Sequence, residues 1–217
     1  MTVFFNSQEI SDIYLNNTKI DSAYYGSTLV YTANPYDPDY TLCNNTGEYT
    51  FSQILPKGVY HLTLIGGGGN GTQWAFNGYI WGAGGGSGSG FIGEFFNPIK
   101  QQVTIYAGAN ANTSYMNFQE TRMITCNQGT NAGFNAVGKG GTISVNQNLQ
   151  HNAQLLNGND GSSGLGSGSG GKTISPVNNW GAGGSSGGTA GGIILIYKRT
   201  KFLNNFQVPF YWETKGY

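Results

Sequence analysis

The sequence predicts a mainly β protein, in which a small sheet or sandwich carries glycine-rich, polyglycine II-like extended segments and almost no α-helix. Glycine supplies 37 of the 217 residues, against a usual share of about 7%. Each glycine inside a helix would cost about 1 kcal/mol relative to alanine. Short β-branched and aromatic runs alternate with glycine-rich tracts along the chain, which favours strands joined by extended segments over a helical bundle.

The first 33 residues are predicted to form a separate module of short strands. Three runs of β-prone residues, 13–15, 19–25 and 28–31, are separated by turn-forming Asn, Gly and Ser residues. Chains below about 40 residues rarely fold alone, so we expect this module to complete a sheet with another chain or domain. The next segment, 34–47, contains two prolines and is predicted to be a linker.

Residues 48–199 are predicted to form one glycine-rich domain, followed by an aromatic tail at 200–217. Val59–Ile65 alternates in side-chain character and Ile193–Tyr197 is a continuous apolar run, so both indicate strands. We expect these two strands to lie in a closed sheet that anchors the glycine-rich chain between them. Further predicted strands are 91–96, 102–106, 121–125 and 142–145.

The glycine tracts are predicted to be structural rather than flexible, although a disordered Gly/Ser spacer is the alternative. Glycines recur at intervals of three, and an extended left-handed helix has three residues per turn, so one bare edge could pack against a neighbour. The sequence Trp-Gly-Ala-Gly-Gly occurs at both 81–85 and 180–184, and we expect its tryptophans to plug the scaffold. The predicted scaffold residues are Gly82, Gly85, Gly88, Trp81, Gly158, Gly161, Gly164, Trp180, Gly181, Gly184 and Gly187.

Three stretches carry a resemblance to a known family. They are Thr63–Gly69, Gly84–Phe91 and Gly187–Tyr197, and together they resemble the glycine-rich domain of bacteriophage tail and receptor-binding proteins over about residues 48–199. Residues 13–31 are similar to a short module at the start of many phage virion proteins. The resemblance implies polyglycine-type helices packed on a small sheet, loops that bind a host surface, and attachment to other virion proteins through residues 1–33.

Composition and motifs exclude several classes of protein. Ten basic residues balance ten acidic ones, so there is no basic footprint for nucleic acid. There is no apolar run long enough for a transmembrane helix, and the first residues do not read as a signal peptide. Cys43 and Cys126 are 83 positions apart and fit no metal-binding spacing. Two buried thiols are expected, a disulfide remains open, and no metal or cofactor is predicted.

An enzyme is not predicted either. Residues 166–173 match the phosphate-binding pattern G-x-x-x-x-G-K-T, but no hydrophobic strand precedes them and Pro176 opposes a following helix. His61 and His151 are the two histidines, and neither stands in a nucleophile–base motif. A carboxylate pair that degrades surface polysaccharide remains an unfavoured alternative.

Clusters of aromatic and amide residues are the candidate binding residues. Aromatic faces stack on sugars or apolar protein patches, while amides bind hydroxyl and backbone groups. The three clusters lie in segments predicted to be loops. The candidate receptor-binding residues are Trp74, Phe76, Tyr79, Tyr115, Asn117, Phe118, Asn178 and Asn179.

The expected function is that of a non-enzymatic phage virion protein, on the tail or another appendage, which binds a host surface glycan or outer-surface protein. Several copies would raise avidity, and a homotrimer is expected because phage fibres resemble that arrangement. The alternatives are a head or tail decoration protein without a receptor and a bacterial surface adhesin.

Overall fold

The computed structural model describes residues 4–5, 8–9, 13–15, 18–20, 22–25, 28–32, 40–109, 111–177, 179–185 and 187–198. The regular elements of these residues are all strands, which confirms the predicted mainly β class. The described part of the chain holds no helix long and apolar enough to cross a membrane. The chain divides into two compact units, residues 1–40 with 199–217 and residues 41–198.

In its described residues, the first unit contains three short pairs of antiparallel strands. The run predicted as one strand at 19–25 contributes to two of them. The segment 33–39, which includes the first six residues of the predicted linker, and the predicted tail at 200–217 lie outside the described residues. The paired strands are β1 (Phe4–Phe5) with β2 (Gln8–Glu9), β3 (Ile13–Leu15) with β4 (Thr18–Ile20), and β5 (Ser22–Tyr25) with β6 (Thr28–Thr32).

The second unit is built on two five-stranded sheets. The strands of this unit are β7 (Tyr40–Thr46), β8 (Tyr49–Leu55), β9 (Gly58–Ile65), β10 (Thr72–Phe76), β11 (Tyr79–Ala83), β12 (Gly90–Asn97), β13 (Gln101–Ala107), β14 (Ser114–Phe118), β15 (Thr121–Cys126), β16 (Ile143–Val145), β17 (His151–Leu156), β18 (Ser163–Leu165) and β19 (Gly192–Lys198). The first sheet has the strand order β17-β12-β9-β19-β7, and the second has the order β16-β15-β14-β13-β8.

Two features of the first sheet bear on the sequence predictions. Strands β9 and β19 pair directly, with Ile65 opposite Gly192, so the two strongest predicted strands lie side by side as expected. Strand β7 at Tyr40–Thr46 is a correction, because the sequence predicted a linker over 34–47. The prolines that suggested the linker precede this strand and do not interrupt it.

The two sheets enclose an apolar core, and we call this part of the molecule the sandwich. Tyr60 and Phe95 lie opposite each other on β9 and β12, and their rings stack with centroids 5.5 Å apart. Phe118 of the second sheet lies 6.0 Å from the Phe95 ring and is only 8% exposed. The prediction that Phe118 binds a receptor is therefore wrong. It alternates inward with Ser114 and Met116 on β14, so its burial follows from the pleat.

The glycine-rich tracts form a second packed body, which we call the glycine bundle (66–71, 84–89, 127–132, 138–142, 157–162, 167–172, 181–185 and 187–191). Its central segment is 84–89, whose six consecutive N–H groups all donate to carbonyl groups at 2.8–3.0 Å. Residues three apart donate to the same neighbouring segment, because an extended helix with three residues per turn points them in the same direction. Gly84 and Ser87 donate to Ser162 and Asn159, Gly85 and Gly88 to Gly184 and Gly181, and Gly86 and Ser89 to Thr130 and Asn127.

Other segments donate back to this central one. Its carbonyl groups accept N–H groups from 66–69, 138–141 and Gly171. The central segment is thus surrounded by hydrogen-bonded neighbours, and the buried side chains within it are the small hydroxyls of Ser87 and Ser89, which hydrogen-bond to those neighbours. This is the polyglycine II-like arrangement that the sequence predicted.

Glycine is a steric requirement inside the bundle. A Cβ built on Gly85 or Gly88 would meet the carbonyl oxygen of Gly69 or Gly66 well inside 3.0 Å. Likewise, a Cβ on Gly158 or Gly161 would overlap the carbonyl oxygen of Ser87 or Gly84. In each pair the spacing of three therefore turns both glycines toward the same neighbouring backbone.

The remaining predicted scaffold glycines behave differently from one another. Gly82 and Gly164 lie opposite each other in strands β11 and β18, not in the bundle. A Cβ on Gly187 would meet no described atom closer than Asn70 Oδ1 at 4.0 Å. Gly181 has a positive φ of 68°, and a Cβ there or on Gly184 would overlap neighbouring backbone.

The bundle has two ends, which we call its base and its tip. At the base, Gly66 donates to Ser89 and Asn127 donates to Thr142, next to the ends of the sandwich strands. At the tip, Gly84 lies against Ser162 and the chain turns back through β10, β11 and β18. Gly47 N donates to Gly191 O at the base, so β7 runs toward the bundle and β19 away from it. The chain accordingly enters this unit at Tyr40 and leaves it at Lys198, at the end of the sandwich farthest from the tip.

Candidate binding surface at the tip of the bundle

A three-stranded antiparallel sheet in the order β10-β11-β18 closes the tip of the bundle. Its first two strands are joined by Asn77 and Gly78, which both have positive φ, 51° and 78°. Two such residues make the hairpin turn whose twist matches that of the strands. The edge strand is fixed by Gly166 N, which donates to Ile80 O at 2.7 Å, and by Gln73 Nε2, which donates to Gly166 O at 3.1 Å.

One face of this sheet collects exposed aromatic and apolar side chains. Trp74 lies opposite Trp81, which lies opposite Leu165, and Phe76 lies opposite Tyr79. Directly opposed residues point to the same face. Phe134, from the turn between two bundle segments, places its ring 5.4 Å from that of Trp74. We call this set the aromatic cap; its members are Trp74, Phe76, Tyr79, Trp81, Phe134 and Leu165.

The cap is open to solvent. Phe76, Tyr79, Phe134 and Leu165 are between 56% and 66% exposed, and Trp81 is 36% exposed. Large side chains of this type are normally buried, and a contiguous exposed patch of them marks an interaction surface. The cap is therefore the leading candidate site in the described residues.

Three of the six residues of the aromatic cap are among the binding residues predicted from the sequence. Trp74, Phe76 and Tyr79 were predicted to bind a receptor, and the structure brings them together on one face. Trp81 was predicted to plug the scaffold, and its exposure corrects that prediction. Its counterpart Trp180 is 7% exposed and its ring lies over Gly192 at the base of the bundle.

Phe134 and Leu165 are not predicted from the sequence, because each is a single apolar residue in a polar, glycine-rich stretch. The hairpin itself had a readable signal. Asn-Gly between two runs of strand-forming residues is a strong predictor of a two-residue β-turn. That dipeptide stands at 77–78 and would have placed Phe76 opposite Tyr79.

The other predicted binding residues lie away from the cap. Tyr115 and Asn117 point outward from β14 in the second sheet of the sandwich, opposite Tyr106 and Thr104. The Tyr115 ring lies 5.2 Å from that of Tyr106 and carries the Arg122 guanidinium 3.5 Å above it. Asn179 is exposed beside Trp180 at the base of the bundle, and Asn178 lies outside the described residues.

The structure explains why the phosphate-binding pattern at 166–173 is not a phosphate site. Gly166 N donates to Ile80 O and Gly171 N donates to Gly85 O. These amides bind protein carbonyl groups, so they do not point together into a phosphate cradle.

The cap is uncharged. Residues 66–93 contain no Asp, Glu, Lys or Arg. Near the tip, Lys139 Nζ and Asp160 Oδ2 lie 2.7 Å apart as an exposed ion pair. The hydrogen bond from Lys139, followed by that from the Gly140 amide, holds the pKa of the Asp160 carboxyl below its usual value. The pair is neutral as a whole.

Reactive groups lie elsewhere and are buried. Cys43 and Cys126 are free thiols in the core, so the two cysteines are not paired. Burial raises the pKa of both thiols, which suppresses thiolate formation. Among the described residues, no group of three or more His, Cys, Asp or Glu side chains could hold a metal ion.

Comparison of the sequence with models of known protein families gives no match. Comparison with curated proteins gives none either. The functional argument therefore depends on the geometry of the cap and on the resemblance described above.

Proposed function

We propose that the protein is a non-enzymatic bacteriophage virion protein that attaches the particle to a host cell surface through the aromatic cap. The observation that carries this proposal is the position of the cap. It lies at the tip of the bundle, whereas the chain enters at Tyr40 and leaves at Lys198 at the opposite end of the sandwich. A protein anchored through its ends would thus present the cap outward.

The bundle suits this task because it is a stiff spacer. At about 3.1 Å per residue, a six-residue segment such as 84–89 holds the cap roughly 19 Å from the sandwich. Its hydrogen bonds are backbone to backbone in three directions, so the cap is pre-organised and pays little ordering entropy on binding.

The hairpins of residues 1–32 support attachment to a partner. Each consists of two strands of two to five residues, and an isolated two-stranded hairpin is at best marginally stable in water. Strand pairing with other virion proteins would stabilise these hairpins. We propose a homotrimer, for which light scattering of the full chain at micromolar concentration would give three times 23.1 kDa, about 69 kDa. A monodisperse monomer would contradict the trimer but leave the adhesion proposal intact.

The adhesion proposal is tested by binding of the fluorescently labelled full chain to host cells. We expect Trp74→Ala and Tyr79→Ala to lose most of the binding. Tyr49→Ala is the matched control, because Tyr49 is a 40% exposed tyrosine on β8 of the sandwich. Equal binding by all variants would overturn the role of the cap. Unimpaired phage adsorption after deletion of the protein would overturn the adhesion function and favour a decoration protein.

A further inference from the structure

We infer that the ligand of the aromatic cap is a neutral glycan, bound by stacking of its sugar rings on the exposed aromatic faces. This inference rests on the proposed function of the cap and names the chemical class of its ligand. Three properties of the cap point to that class: the arrangement of the rings, the lack of charge, and the amide groups at its edges.

The aromatic residues of the cap follow one another at intervals of sugar-ring size. Directly opposed residues such as Trp74 and Trp81 lie about 5 Å apart across the strands. Successive residues on one face, such as Tyr79 and Trp81, lie about 7 Å apart along a strand. The Phe134 ring lies 5.4 Å from the Trp74 ring and is tilted by 52° to it, so it adds a second aromatic face beside Trp74. An aromatic face offers an apolar surface with a negative quadrupole, which fits the C–H face of a pyranose ring.

The absence of charge selects among glycans. The hairpin and the chain on both sides of it, residues 66–93, contain no Asp, Glu, Lys, Arg or His side chain. Recognition of phosphate or carboxylate uses arginine or lysine, and the nearby Lys139 is held by Asp160 at 2.7 Å. A sugar acid or a phosphorylated lipid headgroup would therefore lose its hydration without gaining a partner.

Amide side chains flank the rings. Asn77 lies in the turn of the hairpin, and Asn135 follows Phe134 in the neighbouring turn. Both have positive φ and both are exposed. Each primary amide offers two donors and one acceptor oxygen, the combination that binds neighbouring sugar hydroxyl groups. Rings for the apolar face and amides for the hydroxyl groups are thus present at the same tip.

The test is binding of the full chain to an array of uncharged oligosaccharides of glucose, galactose, mannose and N-acetylglucosamine, beside uronic-acid and phosphorylated sugars. We expect retention on neutral members alone. Trp81→Ala and Phe134→Ala should each weaken binding about tenfold or more, as removal of a central aromatic anchor does. Tyr49→Ala should leave it unchanged. Thermal melting of each variant checks that the fold persists.

Host cells treated with periodate, which destroys sugar diols, or with a protease distinguish this inference from the proposed function. Loss of binding after periodate alone supports the glycan. Loss after protease alone overturns it in favour of a protein receptor and leaves cap-mediated adhesion standing. Retention on the acidic sugars, or on no sugar at all, overturns the inference as well. Association of the chain with itself that disappears in Trp81→Ala would identify the cap as a contact between copies, and would overturn both proposals.

Discussion

The sandwich and the glycine bundle hold together by opposite means. In the sandwich, side chains such as Tyr60, Leu62 and Phe95 are fully buried between two sheets, and the backbone is paired only with neighbouring strands. In the bundle the backbone is paired in three directions, and a Cβ on the glycines of its interior would overlap neighbouring backbone. The sandwich is stabilised by the apolar surface it removes from water, whereas the bundle is stabilised by close backbone contact and by the hydrogen bonds that this contact permits.

This difference reverses the usual sense of a destabilising substitution. A hydrophobic core is damaged when a side chain is shortened, since a cavity remains. The bundle is damaged when a side chain is lengthened by one methyl group, since there is no space for a Cβ. The two regions can therefore be broken separately, by substitutions of opposite kind.

The largest effect is expected from Gly85→Ala. The new Cβ would overlap Gly69 O and push segment 66–69 away from 84–89, which breaks the bond from Gly69 N to Gly86 O. The shift also disturbs segment 181–184, which accepts from Gly85 N through Gly184 O. Each stranded buried group costs about 1–3 kcal/mol, and overpacking adds about 1–3 kcal/mol. At about 2–4 °C per kcal/mol for a chain of this size, the melting temperature should fall by about 10 °C or more.

Gly187→Ala is the control for that experiment. The Cβ would meet no described atom closer than 4.0 Å, so the melting temperature should stay within a few degrees of the wild type. Equal midpoints for the two variants by circular dichroism would show that the bundle does not depend on its bare glycines.

A somewhat smaller effect is expected from Phe95→Ala in the sandwich. Phe95 is fully buried between Tyr60 and Phe118, and removal of such a ring costs about 3–5 kcal/mol. Urea unfolding should show the loss as a lower midpoint. Ile54→Ala, on a 62% exposed residue of β8, should change stability by no more than about 0.5 kcal/mol. A Phe95→Ala midpoint as high as that of Ile54→Ala would place the stability of this unit in the bundle alone.

The two thiols give a local measure of whether the sandwich stays closed when the bundle is disturbed. Burial raises the pKa of Cys43 and of Cys126, and Cys126 Sγ donates to Leu64 O at 3.3 Å just before the bundle begins. Neither thiol should react with a disulfide reagent at pH 8 in the time that labels the urea-unfolded chain.

In Gly85→Ala, continued protection of both thiols would mean that the bundle opens alone. Exposure of both would mean that the two regions unfold as one unit. The single variants Cys43→Ala and Cys126→Ala assign the signal to each thiol. Rapid labelling of the native wild type would contradict the buried position of these groups.

The strands and the extended glycine segments could be predicted from the sequence, but which segments pack against one another could not. Apolar runs such as Ile193–Tyr197 identify their own strands, and a spacing of three identifies an extended segment. Which segments lie together is a different matter. The glycines of 157–162 and of 181–184 have no side chain that identifies their neighbour, so their spacing alone does not determine where each segment packs against 84–89.

The candidate surface was harder to predict for a related reason. Trp74, Phe76 and Tyr79 are recognisable as aromatic residues within a glycine tract, but the sequence predicts a loop for this segment. The Asn-Gly turn converts it into a sheet that turns Trp81 outward. Phe118 was misassigned because Tyr115 and Asn117 drew attention to a polar segment. The alternation of Ser114, Met116 and Phe118 against those two residues already indicated a strand with an inward face.

The smallest effect is expected from the one ion pair named at the rim of the bundle. Asp160 accepts hydrogen bonds from Lys139 and from the Gly140 amide, and these lower its pKa in the folded state. A depressed folded-state pKa contributes stability above the unfolded value of about 3.9, and that contribution is lost as the pH falls through the folded value.

Because the side chains of Lys139 and Asp160 are both at least half exposed, the contribution of this ion pair is small and screened by salt. Asp160→Asn should therefore melt almost as the wild type does at pH 7, and the small difference between the two should shrink as the pH falls below the unfolded value of about 3.9. A loss at pH 7 as large as that of Gly85→Ala would mean that charge, and not the fit of bare backbones, holds the bundle together.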